Sequence, residues 1–337
     1  MSATWPWTAG GATGVGSLPG TDIVEAVKLV FGELPDLPHL PELPERGPGA
    51  DLVGRGAAVL VDLAVELYAG QWRVATRPGR DRRRTLDLLE RDLDVLTEAG
   101  AGYTGPIKIQ IAGPWTLAAA IDLPIGGRVL RDHGATRDLA ASLAEGVRAH
   151  AADLARRLPG ATVLLQIDEP SLPAVLAGRV RTDSGLYTYR AVEAQRAQEA
   201  LRSIVESAGV DVIVHCCAPD PPLSLFRDAG ARTVSFDLTL LEDASAAQLD
   251  PLGEVIDAGL GIFAGVVPST ADGGRPASLA AAQQITAVWR RLGFGADRLA
   301  AQVVVTPTCG LAGASPGHAR AALAACVEAG KRLLDDA

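Results

Sequence analysis

The chain has 337 residues, 31 Lys and Arg against 40 Asp and Glu, a formal net charge of −9, and 48% apolar residues. That suffices for one large α/β barrel or two average domains, and the acidic balance speaks against nucleic acid or an anionic membrane as partner. Four cysteines in so long a chain are no disulfide framework, and in a cytosolic enzyme they point to metal binding or catalysis.

Residues 1–11 read as a loose leader carrying Trp5 and Trp7. They lack the basic start and apolar stretch of a signal peptide, and no apolar run in the chain reaches the roughly 18 residues of a membrane helix, so a cytoplasmic protein is expected. Residues 12–337 read as a single catalytic domain. Ala12 to Gly20 looks like a short strand turning into a helix over 22–34, with Gly14 and Gly16 allowing close backbone approach and exposed N–H groups favouring an anionic group. The stretch from Leu34 to Pro48 is dense in proline and is expected to lack regular structure, which in a domain usually means a functional loop. Helices are expected over 50–70 and 82–99, with a possible strand at 72–76 between them.

From Ile107 onward the alternation is regular. Apolar strands are expected near 107–112, 163–168, 212–216, 233–237, 260–267 and 303–307, separated by helices over 136–158, 188–208, 221–229, 249–258, 277–292 and 316–334. Strands apolar along nearly their whole length, alternating with helices, are the signature of a parallel sheet covered by helices. Polar residues gather where these strands end: Ser17, Asp168, His215 with Cys217, Asp237 and Cys309. A (β/α)8 TIM-type barrel brings such ends to one face, whereas an open sheet leaves Ser17 far from the last strands. The expected fold is therefore the eight-stranded barrel.

His215 and Cys217 are two residues apart on a strand end, so both point the same way, while Cys216 points into the core. With Asp237 and Cys309 they have the donor types of a tetrahedral zinc site at the C-terminal ends of the strands. Two thiolates and a carboxylate more than cancel a divalent charge. Zinc so held activates water poorly and suits holding a substrate thiol as a nucleophilic thiolate. In Gln166-Ile-Asp-Glu-Pro170, Asp168 and Glu169 face opposite ways, and Asp168 is the one expected to reach the site. Cys326 and His318 read as structural.

Gly16-Ser-Leu-Pro19, Gly113-Pro114, Gln166 to Pro170, His215-x-Cys217 and Cys309-Gly-Leu311 resemble the C-terminal catalytic barrel of the cobalamin-independent methionine synthases, in order and spacing, over residues 12 to about 330. The resemblance implies methyl transfer to L-homocysteine, giving L-methionine, with zinc on His215, Cys217 and Cys309 and Asp168 on the substrate ammonium. It further implies Gly16 and Ser17 on the carboxylate, and Glu42 or Glu45 assisting at the amine. Asp237 stands where the family has a zinc-ligating Glu. Ala118-Ala119-Ala120 and Ala174 stand where the family contacts folate, and the region of its donor-side His has Phe263 nearest. The expected methyl donor is thus other than the usual folate, such as a methylcorrinoid or a corrinoid carrier protein. Two other readings stay open: a non-catalytic zinc-binding barrel acting as sensor or partner, and a uroporphyrinogen-decarboxylase-like enzyme.

Overall fold

The structure, a computed structural model, describes residues 5–335. Six parallel strands run in sequence order: β3 (Pro106–Ala112), β4 (Thr162–Asp168), β5 (Asp211–Cys216), β6 (Thr233–Asp237), β7 (Gly261–Val267) and β8 (Val303–Pro307). They are buried almost throughout, as strands covered on both faces must be. Helices cover the outer face. The longest, His133–Arg157, buries Leu139, Leu143, Val147 and Leu154 along one stripe. Burying each of these side chains contributes up to about 1.5–3 kcal/mol.

The sheet thus holds six strands where eight were expected. Two extended segments run between its edges, held by isolated bridges: Ala12 beside Val305 of β8 and His39 beside Lys108 of β3. The segments pair with each other at Ser17 and Glu42, where Leu18 N donates to Glu42 O and Glu42 N donates to Gly16 O. The sheet curls until its edges are linked through these segments. The proline-dense stretch is therefore an integral part of the fold. Pro38 and Pro41 hold it extended, Pro44 opens the short 3-10 turn Pro44–Arg46 that ends it, and the residues between the first two prolines and just after them keep the N–H groups that pair.

The strand suspected at 72–76 is not part of this sheet. It belongs to an antiparallel hairpin of β1 (Ala64–Tyr68) and β2 (Gln71–Ala75), and the helix expected over 50–70 ends at Ala58. Val65-Glu-Leu-Tyr68 favours a strand, and the turn residues Ala69 and Gly70 both take positive φ, as two-residue hairpin turns require. The helix expected from 188 begins at Ala194. The leader also differs: residues 1–4 lie outside the described residues, but Trp7 is buried, packs edge-on against Phe263, and donates to Ala301 O. It docks against Gly261, at the N-terminal end of β7. No helix among the described residues is long and apolar enough to cross a membrane.

Candidate active site

The parallel register sets Asp168 beside His215, and His215 beside Ser235. Cys217 emerges just past β5, and Cys309 just past β8. Although 92 residues apart, their Sγ atoms lie 3.2 Å from each other. This thiol–thiol contact lowers Cys309 to about 7, and with burial it raises Cys217 well above its usual value. Cys216 faces away, fully buried, its thiol pushed up to about 12 by burial.

The buried His215 ring has Nδ1 2.9 Å from Ser235 Oγ, which fixes the ring and leaves Nε2 as the nitrogen able to bind a metal. Burial, then the charge of Lys108, push its pKa down to about 3, which keeps it in the neutral form that ligates. Asp237 is differently engaged. Its Oδ1 accepts from Thr239 N at 3.0 Å and Thr239 Oγ1 at 2.5 Å, capping the short turn that follows β6. Among the described residues no three His, Cys, Asp or Glu side chains are gathered about one point as a finished metal site. The structure brings Cys217 and Cys309 together but does not complete the set with His215 and Asp237. Two sulfurs in contact, with an imidazole anchored through Nδ1 two residues upstream, remain donors of the type zinc takes.

Beside the thiols lies a buried polar pocket. Asp168 Oδ1 accepts from Gln166 Nε2 at 2.7 Å, and Gln166 Oε1 accepts from Lys108 Nζ at 2.7 Å. Burial, followed by the charge of Glu42, raises the pKa of Asp168, while Lys108 and Gln166 oppose the shift. Glu42 is buried, pairs with Arg55 at 3.3 Å, and has its pKa raised chiefly by burial. Glu45 is exposed and accepts from Gly20 N, so of the two acids only Glu42 lies in this pocket. A Cβ at Gly16 would come within 2.9 Å of Gln110, and one at Gly310 within 2.1 Å of Ser17 Oγ, so a side chain at either position displaces a neighbouring side chain of the site. Glu169 points away from Asp168 and accepts from Trp115 N, Thr116 N and Thr116 Oγ1, capping the helix Pro114–Ala120.

Ala118 is buried, and Ala174 lies on the short helix Leu172–Leu176. Phe263, expected nearest the donor side, is instead buried against Trp7 toward the N-terminal end of β7, away from the strand ends that carry the thiols. Cys326 is buried in the helix Pro316–Asp335, and His318 Nε2 lies 3.0 Å from Pro268 O. Sequence reading passed over Lys108, Gln110 and Ser235. Their signal was a polar residue at every second position of an otherwise apolar strand, as in Ile107-Lys-Ile-Gln-Ile111. That period marks the strand face turned toward the site.

The family model for the cobalamin-independent synthase catalytic domain matches residues 11–332. No curated protein matches the chain. Among solved structures, a B12-independent methionine synthase from Shewanella sp. W3-18-1, in complex with selenomethionine, shares 13% identity at a TM-score of 0.61, covering 98% of this chain and 99% of its own. At that identity the likeness shows the fold alone. A putative dihydrodipicolinate synthetase from Pseudomonas aeruginosa has 11% identity and a TM-score of 0.43, covering 97% of this chain and 77% of its own. A beta-galactosidase from the psychrophilic Marinomonas ef1 has 12% and 0.48, covering 96% and 59%.

Proposed function

The chain belongs to the family of cobalamin-independent synthase catalytic domains, and on that premise we propose that it transfers a methyl group to the thiol of L-homocysteine, giving L-methionine. The observation that carries this reading is the contact of Cys217 and Cys309 beside the buried Asp168 pocket. One end of that site suits a thiol and the other an ammonium.

His215, Cys217 and Cys309 are the residues that would hold zinc, with Asp237 as a fourth candidate. Bound there, zinc lowers the pKa of a thiol and keeps it nucleophilic as the thiolate. Asp168 accepts the substrate ammonium, and Glu42 adds a second negative charge nearby. Ser17 and the backbone around Gly16 bind the substrate carboxylate. Held at both ends, the substrate sulfur attacks the donor methyl carbon; the carbon–sulfur bond forms as the bond to the donor breaks, and the leaving group keeps the electron pair.

The donor is other than the usual folate, such as a methylcorrinoid or a corrinoid carrier protein. The apolar Ala118 and Ala174, where the family contacts folate, support this. Methionine formation from L-homocysteine, measured with methylcobalamin and with methyltetrahydrofolate, tests both parts. Turnover with methylcobalamin exceeding that with the folate is expected. The reverse order refutes the donor assignment, and no methionine from either refutes the reaction.

A further inference from the structure

Building on the homocysteine reading, we infer that Lys108 is a positioning residue for recognition of the substrate amine, acting through the orientation of the Gln166 amide. Lys108 is fully buried on β3, and its Nζ donates to Val15 O and to Gln166 Oε1, both at 2.7 Å. An ammonium has donors and no acceptor, so Gln166 must meet it with oxygen. That leaves Nε2 pointing the other way, where its two hydrogens go to Val15 O at 3.0 Å and Asp168 Oδ1 at 2.7 Å.

The opposite orientation fails at every contact. Nε2 would face the ammonium, and Oε1 would face a carbonyl and a carboxylate. Buried polar contacts of this kind are costly when mispaired. Lys108 is the one partner that holds Gln166 by its oxygen, and together with Val15 O it turns the amide N–H toward Asp168. With Oδ1 engaged, Asp168 Oδ2 accepts no hydrogen bond among the described residues and is left for the incoming ammonium. Among the described residues Lys108 Nζ donates only to Val15 and Gln166, and acts on the substrate through Gln166 and Asp168.

The test compares two ligands of the zinc-loaded protein, L-homocysteine and 4-mercaptobutyrate, which keeps the thiol and carboxylate but lacks the amine. Calorimetric affinities for both are measured in the wild type and in Lys108→Met, Lys108→Gln and Gln166→Leu. Lys108→Met is expected to reduce the preference for homocysteine by about tenfold, the worth of a hydrogen bond to a charged group, with 4-mercaptobutyrate binding unchanged. Lys108→Gln, which keeps an N–H for Oε1, retains most of the preference, and Gln166→Leu loses as much as Lys108→Met. An undiminished preference in Lys108→Met, or an equal loss for both ligands, overturns the inference. Should Lys108→Met not fold, undiminished preference in Gln166→Leu does so instead. A wild type that binds both ligands equally overturns the homocysteine reading itself, a separate result.

Discussion

The contact between Gly310 and Ser17 is the narrowest dependence of the site on one atom. A Cβ at Gly310 would stand 2.1 Å from Ser17 Oγ, and the backbone there takes no positive φ, so alanine is tolerated locally and only the serine must give way. Gly310→Ala is expected to turn the Ser17 hydroxyl aside. It should raise KM for homocysteine by about tenfold or more, the worth of one hydrogen bond to a carboxylate, with kcat and Tm little changed. Steady-state methionine formation reads this directly, and an unchanged KM removes Ser17 from carboxylate binding.

At the scale of elements, the proline-dense segment owes its order to ion pairs as well as to proline. Arg46 forms two 2.7 Å hydrogen bonds to Asp92 on the helix Arg80–Ala99, and Arg55 reaches Asp92 at 2.8 Å and Glu42 at 3.3 Å. Asp92 is fully buried, so its two guanidinium partners are what make its charge tolerable there. Through Arg55 the same network holds Glu42 beside the Asp168 pocket. The helix His133–Arg157 carries a different buried group. His150 lies on its inner face, with Nε2 unpartnered, and burial with the nearby charge of Arg55 lowers its pKa from 6.5 to about 4, partly opposed by Asp153. Because the folded value lies below the unfolded one, the unfolded chain takes up the proton first, and stability falls as pH drops from 6.5 toward 4. Between pH 7 and pH 5 this amounts to about 2 kcal/mol. Urea unfolding at the two pH values should show the wild type losing about that much more than His150→Leu. Equal losses would mean that His150 does not contribute to the acid sensitivity.

For the whole molecule, the alternation of apolar strands and helices was enough to place all six sheet strands and nearly all the helices that cover them. His215, Cys217, Asp168 and Cys309 were legible because each is polar at the end of an apolar run. What escaped the sequence was the pairing of segments that lie outside the regular alternation of strand and helix. Pro38 to Glu42 reads as loop because proline lacks a donor, yet its remaining N–H groups find β3 and the Gly16 segment. Residues 64–75 read as helix and isolated strand because only the Ala69-Gly70 turn shows them to be a hairpin. Asp237 was legible as a strand-end acid, but Thr239 is what decides where its oxygen goes. On the proposed function, Cys217 and Cys309 would hold zinc, and zinc there would activate the thiol of homocysteine. Zinc K-edge X-ray absorption on the purified protein, without and with L-homocysteine, tests it most directly. A count of two sulfur ligands rising to three with substrate is the predicted result. A count that stays the same, or protein that takes up no zinc, contradicts it.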